Sequence, residues 1–215
     1  GYDHLVEYGV NALQLLPIFD QDNAERARKE VVYNEGSENE KVAQVVDYDT
    51  LGDFNWGYNP LNYNALEGAY SSDPRNGYAR IKEFRELVQK FATNENHTRI
   101  IMDVVYNHVS SAPTSNFERL MPKYYYRLDD LGGYSDASGC GNEVKTEAPM
   151  MRKFIIDSVC QWATNYKIKG FRFDLMGAID LKTMSDLTDA LYDIDPDIVV
   201  YGEGWYATAP RLNSN

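Results

Sequence analysis

Two carboxylates in this sequence stand where strand patterns end and could act on one bond. The first lies in Gly170-Phe171-Arg172-Phe173-Asp174-Leu175-Met176-Gly177. Side chains alternate faces along a strand, so Arg172 and Asp174 project together while Phe171 and Phe173 turn the other way. A buried charge is costly unless paired, and Arg172 is placed to hold Asp174 ionised, as a nucleophile must be. The plainer alternative for this pair is a structural salt bridge. The second carboxylate is Glu203, at the end of the apolar run that opens at Ile198 and flanked by Gly202 and Gly204. Small neighbours leave room for a ligand near the backbone, and Tyr201 and Trp205 predict a desolvation that raises the Glu203 pKa, the state a general acid needs. Two carboxylates with proton affinities pushed apart are the recurring arrangement of glycoside hydrolysis.

A third acid, Asp103, sits inside the apolar run Ile101-Met102-Asp103-Val104-Val105-Tyr106-Asn107-His108. It requires a donor, and Arg172 on the adjacent strand is assigned to it. Asn107 and His108 close the run, where a neutral imidazole could donate to a sugar hydroxyl or serve only structure. Other chemistries find little support. Asp47-Tyr48-Asp49-Thr50-Leu51-Gly52 imitates the start of a calcium loop, but Leu51 occupies a ligand position and no Glu closes it, so no metal is expected. No Gly-rich phosphate cradle follows a strand and no nucleophile-elbow Ser is present, which argues against phosphoryl and acyl transfer and leaves no cofactor implied.

The elements that must position these residues follow a βα rhythm. Short apolar runs at 10–17, 99–108, 168–177 and 198–205 predict strands. A helix ends at Tyr8 with Gly9 just beyond it. Between the strands, Ile81, Phe84, Leu87, Val88 and Phe91 recur at helical spacing, as do Met151, Phe154, Ile155, Val159, Trp162 and Tyr166, and then Leu181, Met184, Leu187 and Leu191. These stripes read as core faces. The stretches Asp20 to Ser72 and Ser110 to Asn142 show no sustained period and read as long functional loops on the C-terminal face of a parallel sheet. Four strands are visible where a closed (β/α)8 barrel has eight, so residues 1–215 are expected to be the central part of one such domain.

Composition narrows the partner. With 33 acidic against 21 basic residues, a net charge of −12 and no Lys/Arg block, the chain would repel nucleic acid. No apolar run approaches the roughly 20 residues that span a bilayer, so no membrane partner is expected. Aromatics make up 13% of the chain, led by 17 Tyr, which suits flat faces with polar tips against a neutral, hydroxyl-rich ligand as well as ordinary core packing. Two cysteines, Cys140 and Cys160, indicate neither a disulfide framework nor a compartment.

DVVYNH at 103–108, GFRFDLMG at 170–177 and YGEGW at 201–205 resemble the first three conserved regions of the α-amylase superfamily, in order and on successive strands. FNWGYNP at 54–60 resembles the YNWGYDP signature of type I pullulanases, and SGCGNE at 138–143 is similar to the same subgroup. Phe54, Asn59 and Leu66 depart from that pattern, and the superfamily's fourth region, with its His-Asp pair, has no counterpart here. The resemblance implies an α/β fold holding about strands 2 to 5 of a catalytic TIM barrel. It implies a retaining hydrolase of α-1,6 branch linkages in pullulan, glycogen or limit dextrin, with an isoamylase-like or α-1,4-cleaving amylase, or a non-catalytic glucan-binding relative, as alternatives. On that resemblance Asp174 is the nucleophile, Glu203 the acid/base and Arg172 the nucleophile's partner. Tyr58 stacks on the sugar at the cleavage site and His108 hydrogen-bonds it. Trp56 and Asn55 shape the pocket, Trp205 joins the substrate-binding set, and Asp103 and Asn107 are structural members of the site.

Overall fold

The computed structural model describes residues 1–22, 56–205 and 207. Its elements run α1 (Tyr2–Glu7), β1 (Ala12–Leu15), β2 (Phe19–Gln21), β3 (Pro60–Leu66), α2 (Gly77–Ala92), β4 (Arg99–Val104), α3 (Asn116–Leu120), α4 (Pro149–Asn165), β5 (Gly170–Phe173), α5 (Leu181–Ile194) and β6 (Val199–Gly202). Helix ends carry the expected signals. Gly9 follows α1 at φ 76°, Asn76 caps α2 by accepting from the Tyr78 and Ala79 amides, Pro149 opens α4, and Asp180 caps α5 by accepting from Thr183.

β1, β4, β5 and β6 form one parallel sheet in that order, an α/β arrangement. Its two faces differ in kind. Ile100, Met102, Val104, Phe171 and Phe173 point to the helices and are at most 1% exposed, packed with Met151, Ile155, Val159 and Trp162 of α4 and Leu187 and Leu191 of α5. Each such side chain contributes about 1.5–3 kcal/mol by leaving water. The alternate residues Gln14, Asp103, Arg172 and Tyr201 line the opposite face. The Tyr201 hydroxyl donates to Gln14 Oε1, joining the outermost strands across that face. In a flat sheet those strands lie three spacings apart, about 14 Å. The bond therefore requires the sheet to curl with its polar face inward.

The observed strands are shorter than the apolar runs. β4 leaves the ladder after Val104, yet Val105 to His108 stay buried, because the chain there turns over the strand ends to build the site. The larger difference lies in the stretch Asp20 to Ser72, expected to be loop. Phe19–Gln21 and Pro60–Leu66 pair antiparallel as a second, two-stranded sheet. Irregular register around Asp20 breaks the pairing, and the buried positions of β3 are Pro60, Tyr63 and Leu66, a spacing of three that hides the strand from a search for alternation. The second loop stretch holds α3 and two isolated bridges, Tyr126 with Val144 and Leu128 with Tyr134. Leu181, Ile81 and Leu87, expected on core faces, are 78%, 39% and 37% exposed, Leu181 standing at the first turn of α5.

Among the described residues β1 and β6 each pair on one side only, and Ala12, Gln14, Val199 and Tyr201 remain exposed on them. Open edges of this kind template association. The 215 residues expressed alone are expected to elute as mixed oligomers. Size-exclusion chromatography checks this, and a monodisperse monomer would contradict it.

Candidate active site

The site is built where β4, β5 and β6 end, and register alone brings its members together. Asp103 on β4 pairs with Arg172 on β5, which in turn pairs with Tyr201 on β6. Asp174 continues the ladder one step on, its amide donating to the Val104 carbonyl, and the Glu203 amide donates to Phe173 in the same way.

Arg172 touches three carboxylates at once. Nη1 donates to both oxygens of Asp103 at 2.8 and 3.0 Å and to Asp174 Oδ1 at 3.3 Å, while Nη2 donates to Glu203 Oε1. Burial opposes the Arg172 charge, but Asp103 and then Glu203 override it and hold the guanidinium more firmly protonated than usual. Asp103 is fully enclosed, and its Oδ2 also accepts from the Tyr58 hydroxyl at 2.8 Å and from Gln14 Nε2 at 3.4 Å. Burial lifts its pKa despite Arg172 and Tyr58. Tyr58, with its ring 6.0 Å from the Arg172 guanidinium carbon, is held well above the ordinary tyrosine range by burial and by the adjacent Asp103.

Asn107 fixes Asp174. Its Nδ2 donates to the Asp174 backbone carbonyl and to Oδ2, both at 2.9 Å. Its Oδ1 faces His108 Nδ1, and His108 Nε2 faces the Tyr58 carbonyl at 2.9 Å. His108 is 2% exposed, and burial draws its pKa down against the Tyr58 contact. Both ring nitrogens thus face protein oxygens in this structure.

The electrostatics of the two cleft carboxylates reverse the sequence expectation. Burial pushes Asp174 above the usual aspartate range, the Glu203 charge adds to this, and Asn107 and Arg172 offset it only in part. Glu203 was expected to be raised by its aromatic neighbours. Burial does push it up, but the Leu175 amide at 3.1 Å, the Trp205 indole at 3.0 Å and Arg172 all favour its charged form, and the balance falls below the usual glutamate range. Trp205 acts here as a donor to the carboxylate as well as an apolar wall. Nor does Gly202 make room for a ligand. A side chain there would strike the Phe173 carbonyl and Met176, so the glycine permits a close approach of backbone to backbone.

Trp56 and Trp205 are each 63% exposed. Asn55 and the calcium-like Asp47–Gly52 segment lie outside the described residues. Among the described residues no group of three or more His, Cys, Asp and Glu is arranged to hold a metal ion, and no helix is long and apolar enough to cross a membrane. Sequence reasoning missed Gln14 and the Leu175 amide. Gln14 carried a signal, being a polar residue between Leu13 and Leu15, whereas the amide carried none, because its direction comes from a left-handed backbone at Leu175, φ 40°.

No family model matches the chain. It is 35% identical over 210 residues to a pullulanase of Bacillus subtilis strain 168, a match spanning 98% of the chain and 26% of that relative. Among solved structures it superposes on the pullulanase of Paenibacillus barengoltzii in complex with maltohexaose and α-cyclodextrin, with a TM-score of 0.80 and 42% identity over 100% of the chain and 31% of that protein. The pullulanase of Anoxybacillus sp. LM18-11 complexed with maltotriose gives a TM-score of 0.83 and 40% identity over 100% of the chain and 27% of its own length. The chain therefore spans between a quarter and a third of the length of these three relatives. Alike in sequence and in fold along nearly its whole length, the chain is homologous to a segment of the pullulanases.

Proposed function

We propose that the chain is the central part, about strands 2 to 5, of the (β/α)8 catalytic domain of a hydrolase that cleaves α-1,6-glucosidic branch linkages in pullulan, glycogen, amylopectin or limit dextrin with retention of configuration. The observation that carries this reading is the single guanidinium of Arg172 in contact with Asp103, Asp174 and Glu203. The inward curl of the polar face supports the barrel, and the oligosaccharides bound by the relatives support an α-glucan partner.

In this reading Asp174 attacks the anomeric carbon while Glu203 gives its proton to the departing glycosidic oxygen. Glu203 then takes a proton from the water that breaks the glycosyl-aspartate bond. Three carboxylates around one guanidinium leave an excess of negative charge, which favours the oxocarbenium character of the transition state. Glu203 must be protonated to begin. Its side chain is 26% exposed in this structure, and a bound glucan would strip water from it and raise its proton affinity. Tyr58 provides the stacking face for the sugar at the cleavage site, and Trp56, Trp205 and Asn55 border the pocket. His108 reaches that sugar by releasing the Tyr58 carbonyl. Asp103 and Asn107 hold Arg172 and Asp174 in place.

Three outcomes are expected of the full-length protein. Proton NMR of the first sugar released shows the α-anomer, because two inversions at one carbon restore the starting configuration, and first release of the β-anomer would exclude a covalent Asp174 intermediate. Asp174→Asn and Glu203→Gln each lower turnover on pullulan by about two orders of magnitude or more. They separate on a glycoside with an activated leaving group, where Glu203→Gln still forms the intermediate and Asp174→Asn does not. The opposite pattern would exchange the two roles. Finally, Asp174→Asn raises the melting temperature at pH 7 by about 2 °C or more. A carboxyl whose folded pKa is raised weakens the fold once ionised, so the gain fades as pH falls and the wild-type Asp174 takes up its proton. Calorimetry of both proteins from pH 7 down to pH 4 reads this trend.

A further inference from the structure

We propose that Arg127, which lies outside the cluster around Arg172, is a positioning residue for the reaction because it anchors the turn that presents Asp174 and the Leu175 amide. The proposal rests on the reading of Asp174 and Glu203 as the reacting pair. The turn needs an anchor. Leu175 is left-handed at φ 40°, a conformation unfavourable for a branched L-residue, and such strain persists only where the surroundings over-determine it. The front of the turn is held by the site itself. Asn107 grips the Asp174 carbonyl and carboxylate, the Leu175 amide donates to Glu203 Oε2 at 3.1 Å, and the Gly177 amide lies 3.1 Å from both the Glu203 and Trp205 carbonyls. The back of the turn is held by Arg127, whose Nη1 donates to the Ala178 carbonyl at 2.9 Å.

The rest of the Arg127 side chain is committed elsewhere, which makes that contact rigid. It is 8% exposed. Nε donates to the two Glu147 oxygens at 3.2 and 3.1 Å, Nη2 donates to Glu147 Oε2 at 2.8 Å and to Thr146 Oγ1 at 3.1 Å, and Nη1 lies 3.8 Å from Glu143 Oε2. Thr146 Oγ1 also accepts from the Asp180 amide at 2.9 Å, fixing the chain two residues past Ala178. The same segment returns to β4's end. The Val144 amide donates to the Asn107 carbonyl at 2.8 Å, and Asn142 exchanges hydrogen bonds with both backbone groups of Val109. Asn107 holds Asp174 from one side and, through Val144 and Glu143, is tied to the arginine that holds its turn from the other. A planar guanidinium spans the Ala178 carbonyl, Thr146 and Glu147 in one fork, which a lysine ammonium cannot do.

The test uses the full-length protein with pullulan as substrate. Arg127→Lys keeps a cation beside Glu143 and Glu147 but loses the fork. It is expected to melt cooperatively, to keep KM within about threefold of the parent, and to lose about 10–100-fold in kcat, the scale of a misplaced reacting group. Glu147→Gln loosens the far side of the fork while leaving the Ala178 contact, and lowers the melting temperature with kcat within about threefold. Thr146→Val keeps Arg127 but removes the hydroxyl that accepts from its Nη2 and from the Asp180 amide, and lowers kcat in the same sense, so the proposal stays testable if Arg127→Lys fails to fold. A folded Arg127→Lys with parental kcat, a change in KM alone, or an equal kcat loss in Glu147→Gln would overturn it. Turnover surviving in Asp174→Asn would overturn the underlying reading and this proposal with it. Parental turnover in Arg127→Lys beside an inactive Asp174→Asn would overturn this proposal alone.

Discussion

One guanidinium organises the polar face of this sheet. Without Arg172, three carboxylates would converge on a partly enclosed surface with nothing to balance them, at a cost of several kcal/mol for each uncompensated charge. With it, each acid acquires a fixed direction, because the planar fork offers donors at set angles. The fold supplies what Arg172 needs. Parallel register sets it beside Asp103 on one neighbouring strand and below Glu203 on the other, and the apolar residues alternating with it lock the strand to α4 and α5.

The proton affinities of the site follow from where its donors sit. Asp174 is more enclosed and next to a second negative charge, whereas Glu203 lies nearer water and collects donors from Leu175, Trp205 and Arg172. The free chain thus favours the charged form of Glu203 and draws Asp174 nearer neutrality. Because the two groups interact, their titration belongs to the pair. Under the proposed function, a bound glucan would alter it chiefly at Glu203, the group with more water to lose.

Residues whose meaning lies in local pattern were legible in the sequence. The alternation through Arg172 and Asp174 gave their shared face, the lone acid in an apolar run gave Asp103 its need for a donor, and the helical stripes gave α2, α4 and most of α5. Legibility failed where meaning depends on a partner distant in the chain. The β2–β3 pairing joins residues about forty apart through an irregular register, β3 shows no period of two, and β2 is only three residues long. The direction of the Glu203 shift depended on a backbone amide aimed by a left-handed turn, and Gly202 answered to a carbonyl on the next strand. Arg127 lay in a stretch with no periodicity, and nothing near it in sequence announces Ala178, 51 residues on.

The placement of the three tryptophans has an optical consequence. Trp162 is fully buried among the core residues, with its ring centre 5.8 Å from Phe19 and 4.6 Å from Tyr166, while Trp56 and Trp205 are each 63% exposed and Trp205 donates to Glu203. Their emission should separate into a blue component shielded from aqueous quenchers and a red component open to them. The first reports on the integrity of the helix-facing core and, under the proposed function, the second reports on a glucan bound beside Glu203. Unfolding and ligand binding can then be followed in one cuvette by two signals native to the chain, with no label introduced near the chemistry.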